Sequence, residues 1–207
     1  MKAEDIIAGE DFQKCVEFHG HLCPGLTMGY KASVAGLEWL KAHRSVDEEI
    51  VAIVETDACC ADAVQVMTGC TFGKGNFIFK DHGKMAFTFF NRKSGQCVRV
   101  VLKSDAFTPD KRNLELIQKK QTGIATDAEL EEFKKQFEKR TRDILEKPVD
   151  DIFDLKEAQF DLPAKAQIQP SIPCSQCGEP TMESRLSEKD GLRICRGCSP
   201  ALTDSMH

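Results

Sequence analysis

The sequence predicts an α+β fold: an α-β-α-β-β-β core with a mostly antiparallel sheet, a helical extension, and a small four-cysteine module at the carboxyl end. Three observations support this prediction. Apolar residues first recur at helical spacing, the period then changes to that of strands, and four of the ten cysteines follow a proline-bracketed connector. A chain of 207 residues, 41% apolar and 29% charged, is long enough to bury a core, which excludes global disorder.

The core is predicted to contain two helices and four strands. In chain order they are helix 24–43, strand 50–55, helix 61–69 and strands 76–80, 84–90 and 96–103. Glycine-containing turn sequences at residues 81–83 and 93–95 predict that the last three strands are antiparallel. Because the helices precede the strand-rich stretch, without strict alternation, a doubly wound fold is excluded.

Two further helices are predicted after the core. One begins at Thr108-Pro109 and runs to about Gln121, and the other covers residues 126–147, opened by a Thr126/Glu129 capping box and ended by Pro148. The connector that follows places a boundary between an α+β domain with its extension, residues 1–162, and a linker with the four-cysteine module, residues 163–207.

Charge and cysteine content restrict the function. A net charge of −5 argues against nucleic acid or anionic lipid as a partner, since both need a cationic surface. No apolar run is long enough to span a membrane and no export signal is present, so we expect a cytoplasmic protein. Ten cysteines in a reducing compartment indicate metal binding or thiol chemistry rather than disulfides.

The carboxyl-terminal cysteines have the spacing of a zinc site. They form two Cys-x-x-Cys pairs separated by 17 residues: Cys174, Cys177, Cys195 and Cys198. A Lys189-Asp190-Gly191 turn between the pairs predicts a hairpin. We therefore expect one structural zinc ion in a zinc-ribbon or treble-clef-like finger. Its mixed charges favour a protein or subunit contact over DNA.

A second group of metal-capable side chains precedes the long core helix. His19, His21 and Cys23 alternate, so in an extended segment they project to one side. Cys23 lies just before the helix-opening proline, where the helix start should lower its thiol pKa. A metal site and an activated thiolate both fit. The Cys59-Cys60 pair, at the start of the next helix, is expected to form the second half of this site.

Two glycine-containing stretches leave alternatives open. Residues 68–76 contain three glycines and Lys74, which fits either an anion-holding loop or an ordinary turn into a strand. Small residues also follow one strip of the long helix: Gly25, Gly29, Ser33 and Gly36. That strip indicates close approach of a sheet or of a partner subunit.

The combination of FHGHLCPG, DACCADAVQ, TGCTFGKGN, AFTFF and the four-cysteine finger resembles the FmdE family, which takes its name from a component of formylmethanofuran dehydrogenase. The resemblance covers nearly the whole chain. It implies an α+β core with a zinc finger, an intertwined homodimer and a pocket around the His/Cys motif. By position it implies a second metal ion, with zinc as the candidate, held by His19, His21, Cys23 and Cys59. It also points to Cys70, and to Lys74 and Asn76 as cofactor-binding residues.

Two functions follow as hypotheses. The first is an accessory or metal-handling subunit of a molybdenum- or tungsten-pterin enzyme of C1 metabolism, which is the kind of complex that gives the family its name. The alternative is a free-standing enzyme in which Cys23, His21 and Cys59 are catalytic, acting on a small carbonyl or pterin-like substrate through a metal or a thiolate. The chain contains no dinucleotide fingerprint and no ferredoxin-like cysteine run.

Overall fold

The computed structural model describes residues 2–107, 110–159 and 161–199. The chain divides between Ala164 and Lys165 into two compact units, here called the core unit and the finger unit. None of the described helices is long and apolar enough to cross a membrane.

The core unit contains helices packed on a mixed five-stranded sheet, which confirms the α+β prediction. Its described helices are α1 (Ala3–Ile7), α2 (Glu10–His19), α3 (Pro24–Trp39), α4 (Cys60–Thr68), α5 (Lys111–Gln121) and α6 (Asp127–Glu146). Its strands are β1 (Ile50–Val54), β2 (Phe77–Phe79), β3 (Ala86–Asn91), β4 (Cys97–Leu102) and β5 (Phe153–Glu157). Helices α1 and α2 and strand β5 have no counterpart among the elements predicted from the sequence.

One strand pairing differs from the prediction. The sheet order is β2-β1-β3-β4-β5, so β1 lies between β2 and β3, and β2 pairs with β1 in parallel. Residues 80–84 therefore form no hairpin: the Lys80 amide donates to the Val54 carbonyl and the Lys84 amide to the Glu55 carbonyl, so this segment passes around the end of β1. Of the two hairpins predicted from the sequence, the structure contains the second, formed by β3 and β4.

Helix starts follow local capping chemistry. The predicted capping box of α6 is present, with the Glu129 amide donating to the Thr126 hydroxyl and the Thr126 amide to the Glu129 carboxylate. Helix α5 begins at Lys111 and is capped by the Asp110 carboxylate, whereas the predicted start at Thr108-Pro109 lies outside the described residues. Cys23 is the N-cap of α3, as predicted.

Strip residues of α3 contact elements of the same chain. A Cβ built on Gly29 would overlap the Cys60 carbonyl oxygen, and one built on Gly36 would overlap the Phe89 ring. At Gly29, helix α3 therefore packs directly on the backbone at the start of α4, and at Gly36 it packs on the Phe89 ring of the sheet. Of the two alternatives left open by the sequence, the structure shows internal packing, so the strip gives no support for a subunit interface.

A buried lysine joins α3 to the end of α6. The Lys31 ammonium donates to the Leu145 and Lys147 carbonyls, at the helix end where carbonyls are left without intrahelical partners. Burial lowers the pKa of Lys31, because the charged amine is separated from water. This contact fixes α6 beside α3.

We predict that Gly29→Ala destabilises the protein although alanine is the better helix former by about 1 kcal/mol. The new methyl group would meet backbone of α4, which has no flexible atoms to displace, so we expect a loss of about 1–3 kcal/mol in the free energy of unfolding. Gly73→Ala is the matched control, since a Cβ there meets nothing within 4 Å. Urea denaturation measures both; equal stability of the two variants would contradict the packing argument.

Candidate metal centres

The finger unit contains two small hairpins that bring its four cysteines together. Strand β6 (Ser171–Pro173) pairs with β7 (Pro180–Met182), and β8 (Leu186–Lys189) pairs with β9 (Leu192–Cys195). The predicted turn is present: Asp190 and Gly191 both have positive φ, 51° and 73°, as a two-residue type I′ hairpin requires. Each cysteine pair thus lies beside the end of a hairpin.

The geometry of the four thiols fits a tetrahedral zinc ion. The sulfur atoms of Cys174, Cys177, Cys195 and Cys198 all lie within 4.8 Å of one another, and the Cys177 and Cys195 sulfurs are 3.9 Å apart. Zn–S bonds of about 2.3 Å in a tetrahedron place sulfurs about 3.8 Å apart. Cys174 Sγ accepts from the amides of Gln176 and Cys195. Backbone donors lower the pKa of Cys174 to about 6, which favours the thiolate that zinc needs.

The second cluster forms where α2 ends and α3 begins. His19 is the last residue of α2, and Gly20 turns the chain with φ of 91°, a left-handed conformation that glycine adopts without strain. His21 and Cys23 follow in the connection to α3. One ring nitrogen of each histidine and the Cys23 sulfur lie within 4.8 Å of one another, so the predicted convergence of the three side chains is confirmed.

Asp62 orients His19. Its carboxylate Oδ2 lies 2.7 Å from His19 Nδ1, and His19 Nε2 lies 3.7 Å from Cys23 Sγ. A carboxylate only accepts hydrogen bonds, so Nδ1 carries the proton and the lone pair of Nε2 faces the cluster. A carboxylate behind a metal-ligating histidine is the usual second layer of a metal site. In the sequence Asp62 follows Cys59-Cys60 in the segment expected to form the second half of the site, and the structure brings its carboxylate to His19.

The pKa of Cys23 is raised, contrary to the expectation of a lowered value. Its sulfur does accept from the Leu26 amide at the helix start, at 3.3 Å. Burial outweighs that donor, and with the neighbouring Cys59 thiol it raises the pKa of Cys23 to about 11. The expected lowering of the Cys23 pKa is therefore not found, because desolvation of the anion exceeds what the Leu26 and Gly25 amides return.

The two adjacent cysteines at the start of α4 have different surroundings. Cys59 is half-buried, packs with Cys23, and has its Cβ 3.1 Å from the position of a Cβ built on Gly25. Cys60 is fully buried in the main core, where burial raises its pKa to about 12. Of the pair, Cys59 therefore lies at the cluster, although it is outside the group of three mutually close ligand atoms.

The glycine loop makes structural hydrogen bonds. The Asn76 side chain is fully buried: its amide donates to the Asp47 and Ile50 carbonyls, and its oxygen accepts from the Thr71 amide. The Lys74 ammonium donates to the Val46 and Asp47 carbonyls, and Cys70 Sγ donates to the Ile50 carbonyl. These groups hold the loop to the segment before β1. Cofactor binding by Lys74 and Asn76 stays a prediction without a supporting contact.

Three comparisons relate this chain to known proteins. The family model described as "FmdE, Molybdenum formylmethanofuran dehydrogenase operon" matches residues 18–154. A curated protein of Archaeoglobus fulgidus, named probable S-adenosyl-L-methionine-binding protein, is 37% identical over 193 residues. The match covers 88% of this chain and 50% of the relative, so the chain spans about half of that protein's length.

A solved structure shares the fold. It is the crystal structure of a tungsten formylmethanofuran dehydrogenase FmdE-like protein from Syntrophus aciditrophicus, with a TM-score of 0.62 and 24% sequence identity. The match covers 97% of this chain and 93% of the other. At this identity the likeness is evidence for the fold alone.

We predict that the finger unit binds one zinc ion per chain and that Cys195→Ser releases it, because three thiolates hold zinc less tightly than four. Elemental analysis of the purified variant measures the loss. Cys97→Ser, a buried cysteine of β4 that belongs to neither cluster, is the control and should keep the metal. Equal zinc content in Cys195→Ser and in the parent protein would show that the four-cysteine assignment is wrong.

Proposed function

We propose, from the premise that this chain belongs to the FmdE family, that it is a metal-binding accessory protein whose core cluster holds one transition-metal ion. The ligands would be His19, His21 and Cys23. The observation that carries the proposal is the convergence of these three groups within 4.8 Å, with Asp62 orienting His19. Imidazole and thiolate ligands together suit zinc and other borderline-soft metals.

The ligand set supports an open position. Structural zinc sites use four protein ligands, whereas sites that exchange a water or a substrate use three. Among the described residues, three ligand atoms converge at the core cluster, and four converge in the finger unit. When bound at such a position, a divalent metal acts as a Lewis acid toward an oxygen or sulfur ligand. His21 is exposed while Cys23 is buried, so one side of the cluster is open to solvent.

Binding of a metal also accounts for the Cys23 thiol. Burial raises the pKa of Cys23 to about 11, and a metal ligand must be a thiolate, so metal binding would release the thiol proton to solvent. His19 Nε2, 3.7 Å from the sulfur, would be the neighbouring ligand, with the Nδ1 proton held by Asp62.

The link to a molybdenum enzyme of C1 metabolism is supported by the description of the family model, which names the operon of a molybdenum formylmethanofuran dehydrogenase. The sequence has no dinucleotide-binding fingerprint and no cysteine run typical of an iron–sulfur cluster. A role in supplying metal to such an enzyme, or in assembling it, therefore suits this chain. The finger unit, with a structural zinc ion, would then provide a contact to a partner protein.

The second candidate is an enzyme, favoured by one observation: the Cys59 thiol lies beside the three-ligand cluster, within reach of a group bound there. A small carbonyl or pterin-like substrate would suit it. The Archaeoglobus relative adds S-adenosyl-L-methionine as a ligand to test, since 88% of this chain aligns with it. Turnover of a small substrate that is lost in Cys59→Ala, with metal content unchanged, would favour the enzyme over the accessory protein.

We predict a second zinc-type metal ion per chain that Cys23→Ser loses and Asp62→Asn holds more weakly. Removing an outer-layer carboxylate costs about 10–100-fold in metal affinity. Asp57→Asn, on the loop before α4 and outside both clusters, is the matched control. Competition with a chromophoric chelator measures the affinities, and circular dichroism and urea denaturation of all three variants check that the core unit folds. One metal per chain in the parent protein would overturn the proposal.

We also propose the homodimer that the family resemblance implies. The exposed apolar side chains of Phe18, Val46 and Phe72, 59%, 87% and 82% accessible, are candidates for its interface. Light scattering across the micromolar range should give the mass of two chains, and Phe72→Ser should weaken association by at least about tenfold. A monomeric mass throughout that range would contradict the dimer.

A further inference from the structure

A cleft that the two metal centres do not use lies between α3, α5, α6 and the ends of β3 and β4. Its volume is about 410 Å³, within the range of small-molecule sites. The walls are mainly apolar and rich in sulfur and aromatic rings: Met28, Met85, Phe107, Ile117, Phe133 and Phe137. We call it the phenylalanine cleft. Pro24 and Gly25, the first turn of α3, also line it.

The aromatic side chains are arranged to receive a flat ring. The Phe133 and Phe137 rings lie one turn apart on α6, with centroids 5.6 Å apart and planes tilted by 34°. Two methionines complete the walls, and thioethers make favourable contacts with aromatic rings. The Lys120 ammonium lies 4.3 Å from the centre of the Phe133 ring, on one of its faces. A planar ligand in the cleft would contact the aromatic rings and sulfur atoms of the lining residues.

The polar groups of the cleft lie together. The Asn113 amide donates to Gln136 Oε1 at 2.7 Å. Within the part of the chain that the structure describes, no group donates to the Asn113 oxygen, which can accept from a ligand. Arg140 lies one turn after Gln136 on α6 and donates to the Phe107 carbonyl at 3.2 Å. Few, grouped polar residues in an apolar wall are typical of sites that fix the orientation of a small molecule.

Two cations near Phe107 have no carboxylate partner. The Arg140 guanidinium carbon lies 5.5 Å and the Lys147 ammonium 4.7 Å from the centre of the Phe107 ring. In the part of the chain that the structure describes, neither forms an ion pair, whereas neighbouring Lys139 pairs with Asp143 at 2.8 Å. Asp110 and Asp143 line the adjoining pocket with Arg140 and Lys147, so they offset part of this charge at longer range. Among the described residues no carboxylate pairs directly with Arg140, which lines the cleft, so an anion in the cleft could do so.

We propose that the phenylalanine cleft binds a small molecule in which an aromatic ring carries an anionic group. The ring lies among Phe133, Phe137 and the methionines, and the anion lies at Arg140. This site is additional to the metal-binding function, since none of the proposed metal ligands lines the cleft.

A pair of fluorescent dyes tests the proposal. 8-Anilinonaphthalene-1-sulfonate has an aromatic body with an anion, and N-phenyl-1-naphthylamine has the same body without charge. We expect saturable binding of the sulfonate at one site per chain, and binding of the neutral dye that is about tenfold weaker, the loss of one charge-assisted contact. No saturable binding of the sulfonate, or equal affinity for the two dyes, would overturn the proposal.

Variants of α6 separate charge from shape. Arg140→Gln should lower the affinity for the sulfonate about tenfold and leave the neutral dye unaffected, and Arg140→Lys should restore most of the loss. Lys135→Gln is the matched control on the same helix, because Lys135 is exposed and outside the cleft. If Lys135→Gln lowers the affinity for the sulfonate as much as Arg140→Gln does, net charge alone explains the binding. That result would overturn the assignment of the anion site to Arg140.

A second copy of the chain is the competing occupant of the cleft. If a second copy covers it, sulfonate emission per chain should fall as the protein concentration is raised through the association range measured by light scattering. That result would overturn the small-molecule site, and constant emission would support it.

Discussion

The contact of α3 with α4 through Gly25 and Gly29 is the constraint on which the core cluster depends. With no side chain at either position, the start of α4 lies directly on α3. Cys59, which caps α4, is thereby brought beside Cys23, which caps α3, and Asp62 in the first turn of α4 reaches His19. Any larger residue in this contact would separate the helices and with them the groups of the cluster.

The two clusters of metal-capable side chains are built in different ways. In the finger unit, short hairpins within about 25 residues bring four thiols together, and little apolar core is available, so metal binding would supply much of the folding free energy. In the core unit, the ligands lie between helices that pack in a larger apolar core, so their positions depend on tertiary packing. The first centre fits a structural ion, and the second fits an ion with an open position.

Burial and capping act in opposite directions on Cys23. The helix start offers the Leu26 and Gly25 amides to the sulfur, but the packed surroundings exclude water, and the anion loses more solvation than it gains. The protein therefore keeps a protonated thiol next to a correctly oriented imidazole. A dication supplies the compensating charge that the backbone does not, which is why this geometry suits metal binding better than free thiolate chemistry.

Features fixed by local chemistry were predictable from the sequence: the Cys23 cap, the Thr126 capping box, the Asp190-Gly191 turn and the four-thiol spacing. Each depends on residues close together in the chain. The tertiary structure alone decided that β1 lies between β2 and β3, that Asp62 orients His19 across 43 residues, and that the Cys23 pKa rises. Strand order, long-range hydrogen bonds and burial depend on how distant segments of the chain pack together. The spacing and composition of residues do not specify which distant segment buries a given side chain.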